Sequence, residues 1–187
     1  MDEHTITREL ERLEEALWVT QAQSGDIASF TALMRRYERP LLYYLRRLAP
    51  RGDAALDLHQ DVWIEVFRAL PSLQIPEAFR VWLYQIAHHK AARVVRNEIR
   101  REEAQSDLAL EEAFAASYGF EDWNAEAVHK ALDELPASQR EILTLHYLND
   151  LSTAEVGRIL GCPPGTVKSR LHHARAALRA VIERRNL

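Results

Sequence analysis

An all-α protein of two small helical domains joined by an acidic linker is the fold class this 187-residue sequence predicts. Three observations carry that expectation: apolar residues recur at helical spacing along most of the chain, residues 151–175 hold a two-helix motif with its own turn, and charge is segregated into blocks. Residues 1–34 carry two basic and seven acidic side chains, net −5, and residues 35–101 carry 13 and seven, net +6. Residues 102–139 carry one and ten, net −9, and residues 140–187 carry eight and four, net +4. The overall charge of −4 thus hides two basic blocks suited to a polyanion, separated by a segment that would avoid one.

Taken in order, residues 5–23 show helical periodicity through Ile6, Leu10, Leu13 and Leu17 among many acids. Ser24, Gly25 and Asp26 supply a stop and a new cap. A long helix follows through Phe30, Leu33, Met34, Tyr37, Leu41, Leu42, Leu45 and Leu48, with a kink or break expected at Pro40. Residues 50–53 form a turn. The next helix, residues 53–70, has Leu56, Val62, Trp63, Val66, Phe67 and Leu70 as its apolar face, while Asp57, Asp61 and Glu65 line up at intervals of four. Such a stripe repels itself by a few tenths of a kcal/mol per pair, so it is either solvated or offered to a basic partner.

After the short loop SLQIPE, a helix from about residue 77 to about residue 101 buries Phe79, Leu83, Ile86, Ala87 and Val94. Its outer faces carry Arg80, His88, His89, Lys90, Arg93, Arg96, Asn97, Arg100 and Arg101, and ending in cations suits the helix dipole. Trp82 and Tyr84 lie among these cations and could stack on bases, although aromatics at helical spacing are more often core. The acidic segment 102–127 reads as a linker. Its Phe114, Tyr118, Phe120 and Trp123 are unusual for a tether and suit docking.

In the motif at 151–175, Ser152 and Glu155 form a capping box, Val156, Ile159 and Leu160 share a face, and Gly161 ends the helix. Pro163 starts a second helix that buries Val167, Leu171, Ala174, Leu178 and Val181. Lys168, Ser169, His172, Arg175 and Arg179 face outward with Arg170 at the margin, the mix that phosphates and base edges require. A helix-turn-helix for duplex DNA is the reading; an ordinary helical hairpin with a solvated basic face is the plain alternative.

No apolar run approaches the roughly 20 residues of a membrane span, and residues 1–15 lack the basic head and apolar core of a secretory signal. A cytoplasmic protein is expected. The lone Cys162 cannot form an internal disulfide, and it fits the motif's turn as a small half-buried residue. A metal enzyme built on His88, His89, His172 and His173 is disfavoured, because adjacent histidines leave a helix in different directions and no HExxH or CxxC accompanies them.

Four segments in this order, SGDIASFTALMRRYERPLLYYLRRL, DLHQDVWIEVFRAL, FRVWLYQIAHHKA and LPASQREILTLHYLNDLSTAEVGRILGCPPGTVKSRLHHARAAL, resemble the extracytoplasmic-function (ECF) sigma factors of the sigma-70 family. The resemblance implies a region 2 domain at 1–101 with an acidic N-terminal helix, a linker at 102–127 and a region 4 helix-turn-helix domain at 128–187. It gives Asp57, Asp61 and Glu65 a partner in the β′ coiled coil of core RNA polymerase, whose β flap is a second partner. It implies that Ser72, Gln74, Arg80, His89, Lys90, Arg93, Arg96 and Asn97 hold the melted minus-10 element, where flipping a base costs a few kcal/mol. It likewise places Thr166, Lys168, Ser169, Arg170, His172, His173 and Arg175 on the minus-35 duplex. A regulator such as an anti-sigma factor is expected, and neither an enzyme activity nor a metal or cofactor is.

Departures from the family pattern fall on the DNA-reading positions. His89 stands where the family usually has asparagine, Gln85 where arginine is frequent, and His172 and His173 where an aromatic and an arginine are common. Imidazoles contact bases differently from guanidinium forks. A stand-alone helix-turn-helix repressor or activator is the competing reading; it would bind an operator without polymerase, usually as a dimer, and no dimer signal is present.

Overall fold

A computed structural model describes residues 3–49, 52–104 and 123–185. Asn97 and the aromatics Phe114, Tyr118, Phe120 and Trp123 fall outside the residues whose side chains it describes, as does much of the expected turn at 50–53. Eight α-helices are present among the described residues, with no strand: α1 Glu3–Gln23, α2 Ile27–Leu48, α3 Gly52–Ala69, α4 Phe79–Ala104, α5 Trp123–Asp133, α6 Ala137–Leu143, α7 Thr153–Leu160 and α8 Pro164–Arg185.

The boundaries follow local chemistry. Asp26 caps α2 by accepting from the amides of Ala28 at 3.3 Å and Ser29 at 3.0 Å, after Gly25 has turned the chain at φ 95°. The expected break at Pro40 does not occur: α2 runs through it to Leu48. A missing amide costs about 3 kcal/mol, and buried Tyr37, Leu41, Tyr44 and Leu45 anchor the helix on both sides of the proline. The loop after α3 is two short 3-10 turns, Leu70–Ser72 and Pro76–Ala78, and α4 extends to Ala104.

The apolar face assigned to α3 needs correction. Leu58 is buried in place of Leu56, and Phe67 is 63% exposed, held at one edge by a T-shaped contact with Phe30 at 5.2 Å. In α1 the inward face is Ala16, Val19 and Glu15, while Ile6, Leu10, Leu13 and Leu17 are all exposed. Glu15 tolerates burial because Tyr37 donates to it at 2.5 Å and Arg36 lies 3.4 Å away. Burial, and then the Glu15 charge, push the Tyr37 hydroxyl far above its ordinary range, so it stays a donor.

Apolar packing is continuous from Val19 in α1 through α2, α3 and α4 to α6, α7 and α8, where Val167, Leu171, Ala174 and Val181 are buried. Between α6 and α7 the chain passes through a π-helical turn, Thr144–Leu148.

Candidate nucleic-acid interface

The helix-turn-helix forms as its residues require. Glu155 N–H donates to the Ser152 hydroxyl at 3.2 Å and Ser152 N–H to the Glu155 carboxylate at 2.8 Å, closing the capping box. Gly161 ends α7 in the left-handed conformation at φ 64°. A side chain at Gly157 would place its Cβ 2.7 Å from the Cys162 carbonyl oxygen, so only glycine lets the turn close this tightly. α8 starts at Pro164 rather than Pro163; the Pro163 carbonyl instead accepts from Val167 N–H at 3.1 Å. Lys168, Ser169, Arg170, His172, His173 and Arg175 are exposed, and Thr166 is half-buried at the start of the helix.

On α4, His89, Arg93 and Arg96 are exposed, Arg80 and Lys90 half-buried. Lys90 lies 3.7 Å from Glu65, so one expected DNA contact and one expected polymerase contact pair with each other. Ser72 donates to the Ala69 carbonyl at 2.7 Å and Gln74 to the Ser72 carbonyl at 3.1 Å. The loop is held from behind by Gln23 at the end of α1, whose Nε2 donates to the Leu70 and Leu73 carbonyls at 3.0 and 2.7 Å. Sequence reasoning missed Gln23, because its partners lie about fifty residues away and no periodicity marks it.

Asp57, Asp61 and Glu65 are exposed on α3, and exposed Leu56, Ile64 and Phe67 share its outer side. The acid stripe is therefore an apolar and acidic surface together. The signal available in the sequence was Leu56 and Phe67 flanking the acids, which helical periodicity assigned to the core.

The other face of α4 packs on α7, and α2 packs on α6. Tyr84 is buried, ring to ring with Tyr44 at 5.3 Å, and its hydroxyl donates to Asn149 Oδ1, so Tyr84 is core and not a base-stacking platform. Glu141 Oε1 accepts from the Tyr44 hydroxyl at 2.7 Å and meets His88 Nδ1 at 2.8 Å. Gln85 donates to the Arg158 carbonyl at 2.9 Å, Arg47 pairs with Asp133, and the Tyr43 hydroxyl meets His129 Nδ1 at 2.6 Å. Burial and the Glu141 charge raise the Tyr44 hydroxyl well above its usual range, keeping it a donor. α4 packs on α7 and α7 on α8, and the expected minus-10 and minus-35 residues lie on separate helices, α4 and α8. Among the described residues no three His, Cys, Asp or Glu side chains are grouped to hold a metal ion, and no helix is long and apolar enough to cross a membrane.

Comparison with known proteins shows the family to which the chain belongs. Residues 33–102 match the sigma-70 region 2 profile and residues 125–178 the sigma-70 region 4 profile. The ECF RNA polymerase sigma-E factor of Escherichia coli K12 is 31% identical over 180 residues, covering 90% of this chain and 94% of that protein. The RNA polymerase sigma-H factor of Pseudomonas aeruginosa is 31% identical over 172 residues, 86% and 89% of the two chains. Among solved structures, the sigma factor RpoE of Bartonella quintana, in complex with the anti-sigma factor NepR, shares the fold at TM-score 0.76 and 24% identity, covering 84% of this chain and 98% of that one. CnrH, in complex with the cytosolic domain of CnrY, does so at TM-score 0.67 and 24% identity, covering 91% and 97%. The protein class is that of transcription initiation factors. The chain belongs to the sigma-70 family, in its extracytoplasmic-function group, and is an RNA polymerase sigma factor with core polymerase and promoter DNA as partners.

Proposed function

We propose that region 2 spans residues 1–101 and region 4 residues 128–187, and that this sigma factor melts its promoters in the cytoplasm without covalent chemistry of its own. Asp57, Asp61 and Glu65, with Leu56, Ile64 and Phe67 beside them, take the β′ coiled coil. Arg80, His89, Lys90, Arg93, Arg96 and Asn97 hold the displaced minus-10 strand by phosphate contacts and stacking, with Ser72 and Gln74 in the base-capturing loop. Thr166, Lys168, Ser169, Arg170, His172, His173 and Arg175 read the minus-35 duplex. Lys90 changes partner on engagement: the polymerase draws Glu65 and the DNA draws Lys90.

The observation that carries this reading is the docking of α4 on α7. Elements centred at minus 10 and minus 35 are about 25 base pairs apart, roughly 85 Å at ~3.4 Å per base pair, while α4 and α7 pack in direct contact. The free chain is therefore the closed form, and core polymerase opens it by binding the open arrangement better. An anti-sigma factor, the partner named for RpoE of Bartonella quintana, would act by holding the closed form or by covering the α3 surface.

The test is reconstitution with core polymerase. The wild-type chain is expected to bind core and to initiate at promoters that core alone does not use. Asp61→Lys with Glu65→Lys is expected to weaken core binding at least tenfold while leaving the helical content unchanged. Tight binding to duplex DNA without core, combined with indifference to core, would overturn the assignment of the α3 surface.

A further inference from the structure

α1 is apolar on the side that faces away from the protein. Ile6, Leu10, Leu13 and Leu17, spaced four, three and four residues apart, are 43%, 61%, 59% and 56% exposed. At ~100° per residue they form one stripe, with buried Glu15 and Val19 about half a turn away around the helix. The inward face thus buries a carboxylate, hydrogen-bonded by Tyr37 and paired with Arg36, while four aliphatic side chains stay in water. The spacing is that of a coiled-coil seam, and α1 lies outside both matched family segments.

The flanks indicate what covers it. Exposed Glu9 stands on one side of the seam and Glu14 on the other, in a segment of net charge −5. Arg36 lies 3.7 Å from Glu14 and 3.6 Å from Glu11, offsetting part of that charge from behind. The acidic segment 102–139, net −9, is repelled by these flanks, as are DNA and an anionic lipid surface. A second copy fits poorly, because parallel pairing sets Glu9 of one chain against Glu14 of the other.

We propose that the outer face of α1 is a docking site for an amphipathic helix of a partner protein that has an aliphatic seam and Lys or Arg flanks. Seam burial supplies affinity, and the acids set orientation and exclude acidic helices. The site is separate from the α3 surface, so its occupant and core polymerase bind the chain together.

The experiment titrates the full-length chain against two fluorescent 18-residue helical peptides with the same leucine seam, one with lysine flanks and one with glutamate flanks, and reads anisotropy. The lysine peptide is expected to bind, more weakly as salt rises, and the glutamate peptide at least tenfold more weakly. Leu10→Ser with Leu17→Ser, both at exposed positions, is expected to weaken lysine-peptide binding at least tenfold with an unchanged circular dichroism spectrum. Equal binding by the variant overturns the proposal, as does equal binding of the two peptides. A Leu10-dependent dimer in sedimentation would assign the face to a second copy instead, and Leu10-dependent binding to anionic phosphatidylglycerol vesicles would assign it to a membrane.

Discussion

Tyr84 of α4 donates its hydroxyl hydrogen to the side-chain oxygen of Asn149, 65 residues further along the chain, and both residues are buried. Asn149 passes the connection on by donating to the Thr144 carbonyl at 3.1 Å, inside the π-helical turn that leads to the helix-turn-helix. The helix expected to hold the minus-10 strand is thus tied, through this phenol among other contacts, to the segment leading into the helix-turn-helix expected to read minus 35.

Tyr84→Phe keeps the packing and removes that donor. A buried acceptor left without its partner costs about 1–3 kcal/mol, which the open form avoids by hydrating Asn149. The closed-to-open ratio is expected to fall about tenfold, read as a larger radius of gyration in small-angle scattering and as tighter apparent binding to core. Unchanged dimensions together with unchanged core affinity would show that the tyrosine is not a lock.

The seam between α2 and α5 is expected to loosen in acid. Burial first, then the neighbouring Arg47 guanidinium, hold His129 below the ordinary 6.5, with Asp133 opposing them. The closed form therefore takes up a proton less readily than the open one. Its contribution is full above pH 6.5 and is lost as pH falls below that value. Dyes on α2 and α5 are expected to separate more between pH 7.5 and 5.5 in the wild-type chain than in His129→Gln. The difference between the two chains isolates the contribution of this one imidazole, which meets Tyr43 and Arg47 of α2.

Gln23→Ala removes the side-chain bonds to the Leu70 and Leu73 carbonyls, leaving the Leu73 N–H on Leu70. At about 0.5–1.5 kcal/mol net per bond, the loop loses its fixed position while the α3 surface stays intact. Promoter opening, followed by 2-aminopurine fluorescence in the minus-10 element, is expected to drop several-fold with core affinity unchanged. Normal opening would show that the loop is positioned by its own turns alone.

Gly157→Ala forces a methyl group to within 2.7 Å of the Cys162 carbonyl, a backbone atom with little room to move. Overpacking of this kind costs about 1–3 kcal/mol. The variant is expected to melt several degrees lower and to lose minus-35 binding, whereas Gly165→Ala, where an added Cβ meets nothing within 4 Å, is expected to do neither. Equal melting temperatures for the two variants would remove the close approach as the reason for this glycine.

The recognition motif was legible because its determinants are local. A capping box spans four residues, a left-handed glycine acts on its own turn, and the inward positions of α8, buried Val167, Leu171, Ala174 and Val181 with half-buried Leu178, recur every three or four residues. The helices α1 to α4, α7 and α8 were readable for the same reason, whereas no helix was assigned from the sequence over α5 and α6. Which side of a helix faces inward was less readable, since periodicity identifies a stripe and not its direction. Leu56 and Phe67 were expected in the core of α3 and face solvent, and at Pro40, where a kink or break was expected, buried neighbours carry the helix through without a break.

The sequence by itself determined an all-helical chain, the helix-turn-helix, the segregation of charge and the resemblance to a sigma factor, because each rests on spacings of a few residues or on residue identity. Only the tertiary structure decided that Tyr84 and His88 turn toward the second half of the chain, that Gln23 holds the loop after α3, and that the aliphatic stripe of α1 faces water. Those relations join residues some fifty or more positions apart, or choose between two faces of one helix. Both are settled by which surfaces bury the most apolar area together, and that quantity exists only once the helices have been assembled.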